Sequence, residues 1–316
     1  MASHQKRYKD DNSVKGMLST SICGIKLSNP TVLASGILGI TRQSLEKAAA
    51  NGAGAVTLKS LCTVERRGLS GPNMFVFPGG MLNAVGLPGQ GMDNAIKDFE
   101  ALDNFSVPVI GSIFGSTIDE FGIAAKKMAS LKPAMIEANI SCPNIDYHEP
   151  YYSSIEAVEK ITKCVKANSG RIPVTIKLSP NVYNIAELAA AAEKAGCDAI
   201  TAINTASGMV IDIESGKPIL SNKSGGISGP ALKPIAVRCV YEIYDKVNVP
   251  IIGTGGVTDG KDAIEMIMAG ATAIGIGSAC YYRGVSAFRQ ICDEMQEWMR
   301  KHKVKGLDEI RGKAHG

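Results

Sequence analysis

The segment Asn139-Ile140-Ser141-Cys142-Pro143-Asn144 places a thiol between two carboxamides, directly after the apolar run Ala134-Met135-Ile136. The apolar run reads as a buried strand, and Pro143 cannot continue a central strand, so Cys142 falls on a loop just past a strand end. A thiol there can take a proton, while paired amides can hold a planar, carbonyl-rich ligand by donating and accepting at once. An isolated cysteine beside a turn proline can equally be a small core residue. Two lysines, Lys59 and Lys177, also close apolar runs. For them a Schiff base, stabilisation of negative charge on a cofactor ring, and a rim lysine with a buried stem all stay open.

These residues need elements to hold them, and the chain supplies a repeated alternation. Residues 18–27 alternate as a short hairpin. Apolar β-runs follow at 31–34, 55–59, 108–112, 134–140, 174–178, 199–204, 250–253 and 273–276. Helical patterns trail the first six of these near 43–50, 92–102, 119–131, 154–168, 185–195 and 232–247, and others follow the last two. Two long excursions, 62–91 and 205–229, interrupt the alternation. Eight buried strands each trailed by a helix predict an α/β fold of the (β/α)8 TIM-barrel type, with an N-terminal hairpin and long strand-end insertions. A doubly wound sheet competes, but its first turn would carry a nucleotide fingerprint, which Ala34-Ser35-Gly36-Ile37-Leu38-Gly39 is not.

In a barrel, active sites sit at the C-terminal strand ends. Those ends carry Ser35, Lys59, Ser112, Asn139, Lys177, Asn204, Gly255-Gly256 and Gly277-Ser278. Gly253-Thr254-Gly255-Gly256 and Gly275-Ile276-Gly277-Ser278 close the last two strands, where small residues let backbone N–H groups approach a phosphate.

The 316 residues carry a net charge of +4, with basic and acidic residues interspersed, which gives no footprint for nucleic acid. The run Arg300–Lys305 reads as a solvated helix end. No apolar run reaches membrane-spanning length. The polar start lacks a signal-peptide core, so the expectation is a cytoplasmic protein with a flexible tail over residues 1–15 and one barrel domain over 16–316. Cys23, Cys62, Cys142, Cys164, Cys197, Cys239, Cys280 and Cys292 are scattered without CxxC pairs, and only His148 lies in the body of the chain. Neither disulfides nor a metal site is expected.

Several segments in order give the chain a resemblance to the class 1 dihydroorotate dehydrogenases, flavin enzymes of pyrimidine biosynthesis, from about Leu18 to Tyr282. They are Asn139-Ile-Ser-Cys142-Pro-Asn144, Leu82-Asn83-Ala-Val-Gly86-Leu87-Pro88, Ile203-Asn204-Thr205, Ser224-Gly-Gly-Ile-Ser-Gly229-Pro230 and Ile252-Gly-Thr-Gly255-Gly256, with the spacing to Gly277-Ser278. Gly216-Lys217-Pro218-Ile219-Leu220, shortly before Ser-Gly-Gly, is most similar to the NAD-linked subgroup, class 1B.

The resemblance implies FMN across the barrel mouth, its phosphate near Gly229, Gly255, Gly256, Gly277 and Ser278. Ser35, Lys59, Ser60, Ser112, Asn139, Lys177 and Ile203 would contact the cofactor, with Lys177 beside the N1 edge. Lys59, Asn83, Ala84, Val85, Gly86, Leu87, Asn139, Asn144, Asn204 and Thr205 would hold dihydroorotate, and Cys142 would be the base. It further implies a homodimer, or a heterotetramer with a second subunit that carries FAD and an iron–sulfur cluster. A fumarate-linked class 1A enzyme is the alternative. So is a related flavoenzyme acting on another dihydropyrimidine, to which Asn204-Thr-Ala-Ser-Gly208 is similar. A non-enzymatic barrel holding a phosphorylated ligand is a third reading. Two departures stand out. Ser112 replaces an asparagine frequent in related sequences, and residues 145–153, with Tyr147, His148 and Tyr151, lack the Gly-rich lid of class 1B.

Overall fold

A computed structural model describes residues 16–99, 101–140 and 153–316. Cys142, Asn144, the segment with Tyr147, His148 and Tyr151, and the expected tail lie outside the described residues.

The chain opens on a hairpin, β1 (Thr20–Ile22) and β2 (Ile25–Leu27), turned through Cys23 and Gly24, both at positive φ. That pair of conformations suits a two-residue hairpin turn whose twist matches the strands. There follow β3 (Thr31–Leu33), α1 (Arg42–Ala50), β4 (Ala55–Thr57), β5 (Met74–Phe77), β6 (Gly80–Asn83), α2 (Met92–Phe99), β7 (Val109–Ile113), α3 (Ile118–Ser130) and β8 (Met135–Asn139). The second half contains α4 (Ile155–Asn168), β9 (Val174–Leu178), α5 (Ile185–Lys194), β10 (Ala199–Ala202), β11 (Ala206–Gly208), β12 (Ile211–Asp212), β13 (Lys217–Pro218) and β14 (Gly225–Ser228). It ends with α6 (Lys233–Lys246), β15 (Ile251–Thr254), α7 (Gly260–Met268), β16 (Ala273–Ile276), α8 (Ala279–Arg283) and α9 (Ala287–Lys301).

Eight of these strands close a parallel barrel in the order β3-β4-β7-β8-β9-β10-β15-β16. Both faces of each are covered, which is why they read as near-continuous apolar runs. Their outward residues, Leu33, Val56, Val109, Ile136, Ile176 and Ile274 among them, form the main core with the helices. A second cluster fills the lower barrel, where Val32, Ala55, Ile110, Met135, Ala199, Ile252 and Ala273 meet Ile22 and Leu27 of the hairpin. The hairpin is therefore a plug at the N-terminal end of the barrel.

The helices begin where short polar side chains satisfy their first N–H groups. Thr41, Thr117, Ser154 and Asp259 accept from backbone N–H groups of α1, α3, α4 and α7. Lys301, His302 and Lys303 at the end of α9 are exposed, as a solvated basic end requires.

The two excursions contain more order than their Gly/Pro content suggests. Strands β11, β14, β6 and β5 pair in that order as an antiparallel sheet, joining residues from both excursions, and β12 pairs β13 separately. The register sets Gly226 beside Asn83 and Ile227 beside Leu82. Their sequences predict insertions but not strands, because each run is only two to four residues long and several contain glycine.

Candidate active site

The inward-facing residues of the barrel change character with height. Two residues above Ile110 comes Ser112, above Met135 come Glu137 and Asn139, above Ala55 come Thr57 and Lys59, and above Ala199 comes Thr201. The period of two along a strand keeps each series on one face. The ladder registers Ser112 with Glu137, Glu137 with Thr175, and Asn139 with Lys177. An apolar floor thus supports a buried polar layer at the C-terminal strand ends, the functional end of this fold.

Hydrogen bonds join that layer into one row. Ser35 Oγ lies 3.1 Å from Ser60 Oγ and accepts from the Ser60 N–H at 3.1 Å. Ser60 Oγ lies 2.8 Å from Ser112 Oγ, and Ser112 donates to Glu137 Oε1 at 3.0 Å. Asn139 Nδ2 donates to Ser60 Oγ at 3.3 Å, Asn204 Nδ2 donates to Asn139 Oδ1 at 3.3 Å, and the Thr205 N–H donates to Asn204 Oδ1 at 2.8 Å. Lys177 Nζ sits 3.9 Å from Glu137 Oε1, with both side chains buried. Of the residues predicted from sequence, Ser35, Ser60, Ser112, Asn139, Lys177, Asn204 and Thr205 are therefore gathered at one place. Lys59 lies half-buried just past the end of β4.

The insertion sheet brings the Asn83–Leu87 segment. Asn83 ends β6 and donates through Nδ2 to the Gly226 carbonyl at 3.2 Å. The Ala84 N–H donates to Asn73 O at 2.8 Å, and the Val85 carbonyl accepts from the Leu69 N–H at 3.1 Å. Gly86 and Leu87 both take positive φ, 77° and 51°. That is ordinary for glycine and uncommon for leucine. A Cβ on Gly226 would lie 2.6 Å from the Cβ of Thr205, so this sheet is built tightly against the end of β10.

The glycine-rich ends of β15 and β16 lie on the other side of the mouth. The Ile203 N–H donates to the Thr254 carbonyl at 2.8 Å, and a Cβ on Gly255 would lie 3.5 Å from Ile203. One on Gly256 would meet the backbone N of Lys233, the first residue of α6, and one on Gly229 would meet Tyr282 Oη at 2.9 Å. Ser278 directly precedes α8. Gly277 differs from these: its added Cβ would touch only Ala34 Cβ, at an ordinary 3.8 Å. Packing among the described residues does not demand a glycine there, and a Cβ would enter space otherwise left open just past the end of β16.

Electrostatics separate the thiols from a catalytic role. Cys23, Cys62, Cys164, Cys197, Cys239, Cys280 and Cys292 are free, and burial pushes each thiol up from its ordinary value, Cys23 and Cys292 to about 12. Burial thus disfavours the thiolate at each of these seven. Burial also lowers the pKa of Lys59.

Glu137 is the charged member of the layer to which sequence reasoning assigned no role. The signal was present: a carboxylate inside an otherwise apolar strand, two residues before Asn139, shares that residue's face. Its partners come from other strands, so spacing alone did not show what satisfies it.

Comparison with known proteins shows the family. A family model described as "Dihydroorotate dehydrogenase" matches residues 17–299. The chain is 45% identical over 304 residues to a Methanocaldococcus jannaschii protein, covering 95% of this chain and 98% of that one. It is 43% identical over 304 residues to one from Methanosarcina mazei, with coverages of 95% and 96%. With one from Pyrococcus abyssi it shares 42% over 299 residues, covering 94% and 99%. All three are named "Dihydroorotate dehydrogenase B (NAD(+)), catalytic subunit". A match over most of the chain, laid on a barrel whose polar layer stands at the catalytic end, means that this chain belongs to the dihydroorotate dehydrogenase family.

Proposed function

We propose that the chain oxidises dihydroorotate to orotate with FMN as its flavin, as the catalytic subunit of an NAD-linked enzyme. The family is flavin-dependent. The observation that supports the reading most strongly is the hydrogen-bonded row from Ser35 to Thr205, flanked by Lys59 and Lys177, above an apolar barrel floor.

The reaction removes a proton from the ring carbon next to a carbonyl and a hydride from its neighbour, leaving a C=C bond. Bound flavin supplies the hydride acceptor. The proton goes to the Cys142 thiolate, which re-forms the thiol. Cys142 lies outside the described residues, and burial raises the pKa of each of the seven thiols described. Lys59 pairs with the substrate carboxylate. Asn83, Ala84, Val85, Gly86, Leu87, Asn139, Asn144, Asn204 and Thr205 hold the ring and its carbonyls, since carboxamides and backbone groups both donate and accept. Ser35, Ser60, Ser112, Asn139 and Ile203 line the flavin. Lys177 places positive charge where negative charge collects on reduction. Gly229, Gly255, Gly256, Gly277 and Ser278 take the phosphate, the small residues allowing close backbone approach.

The NAD-linked relatives are named as catalytic subunits, which implies a partner subunit. We place this chain with such a partner, carrying FAD and an iron–sulfur cluster, and with a second copy of itself. Scattered free cysteines fit the cytoplasm. Among the described residues no helix is long and apolar enough to cross a membrane.

Substrate preference tests the reading. Dihydroorotate carries a carboxylate that dihydrouracil and dihydrothymine lack, so Lys59 should favour it by at least a hundredfold in the rate of flavin reduction. Equal bleaching by dihydrouracil would move the chain to another dihydropyrimidine.

A further inference from the structure

Glu137 is buried in the polar layer and has no part in the chemistry above, yet it decides how that layer is wired. It is 3% exposed. An ionised carboxylate can only accept. Ser112 therefore gives its one proton to Glu137 Oε1, and its oxygen accepts from the Ser60 hydroxyl. With that proton committed, Ser60 Oγ accepts from the Ser35 hydroxyl and from Asn139 Nδ2. At the far end the Thr205 N–H fixes Asn204 Oδ1, which turns Asn204 Nδ2 toward Asn139 Oδ1. Every donor from Thr205 to Glu137 points the same way. A flipped Asn139 would set its oxygen against that of Ser60 and its amino group against that of Asn204. The carboxylate thus selects one orientation of Asn139, and hydrogen bonds in such a chain polarise one another.

The same carboxylate stands 3.9 Å from Lys177 Nζ, and Lys177 is only 4% exposed. Little water screens the pair. A positive charge beside a reduced, anionic flavin favours that form, and a negative charge behind the lysine opposes it.

We infer that Glu137 is a positioning residue of this site, orienting Asn139 through Ser112 and Ser60 while offsetting the charge of Lys177, so that it sets both substrate affinity and flavin potential. The inference rests on the proposed function.

The test measures, on the flavin-loaded protein, the midpoint potential of the bound flavin and the KM and kcat for dihydroorotate. Glu137→Gln keeps the shape, removes the charge and can donate. It should favour reduced flavin at least tenfold, a rise of about 30 mV for a two-electron couple, and should raise KM. Glu137→Asp keeps the charge and should hold the reduced-to-oxidised ratio within about threefold of the parent. Ser112→Ala breaks the row but spares the ion pair, so KM should rise about tenfold. A Glu137→Gln protein that loses only thermal stability, with parental potential and KM, would overturn the inference. If that variant does not fold, a parental KM in Ser112→Ala does the same. The parent enzyme separates the two claims: if dihydroorotate fails to bleach its flavin, the proposed function falls, whereas the potential of Glu137→Gln still tests the charge.

Discussion

Cys142 is the residue on which the proposed chemistry depends. Cys142→Ala should retain its flavin but slow flavin reduction by dihydroorotate about 10²- to 10⁴-fold, the range a positioned base supplies. Cys142→Ser should regain part of the rate at high pH, because a hydroxyl is a far weaker base at neutrality. Stopped-flow bleaching reads both, and a parental rate in Cys142→Ala would remove the thiol from its role. Lys59 gives the site a pH limit. A carboxylate pairs with the protonated lysine, and burial lowers that pKa below the usual lysine range. The required proton is lost as pH rises through the lowered value, so binding is intact below it and weakens above it. KM should climb about tenfold per pH unit on the alkaline side. Lys59→Met should have a high KM at every pH and no such limb. A parent KM with no alkaline limb where Lys59→Met also has none would contradict the pairing.

The elements differ in how legible they were. Barrel strands are buried on both faces and advertise themselves as apolar runs between helices, so all eight were expected close to where they lie. Ser112, Asn139 and Lys177 were found as polar residues ending such runs, while the alternation of two fixed their common face. The sheet of β11, β14, β6 and β5 was not legible, because its strands are three or four residues long and pair between distant excursions. Nor was the role of Glu137, whose partners sit on neighbouring strands. That same sheet carries a prediction. A Cβ on Gly226 would collide with the side chain of Thr205, and the backbone of β14 is anchored by Asn83. Gly226→Ala should cost about 1–3 kcal/mol, as overpacking does. Displaced Thr205 should raise KM for dihydroorotate about tenfold with a smaller change in kcat. Thermal unfolding and steady-state kinetics measure the two effects, and an unchanged KM would detach this sheet from the substrate.

At the scale of the whole molecule, we propose that the chain oxidises its substrate and passes electrons to NAD only through a partner subunit. The sequence contains no GxGxxG; Gly275-Ile-Gly277-Ser-Ala-Cys280 lacks the last glycine and lies at the end of β16. Its cysteines are scattered along the chain. Mixed with dihydroorotate and NAD, the isolated chain should form no NADH while reducing an artificial dye; brisk NADH formation would contradict the need for a partner subunit. The most direct measurement is anaerobic titration of the isolated, flavin-loaded chain with dihydroorotate, following flavin absorbance and orotate together. Full bleaching is predicted, with one orotate formed per flavin reduced. A colourless protein, or a flavin that stays oxidised in excess dihydroorotate, would contradict the assignment of this barrel mouth as the site of dihydroorotate oxidation.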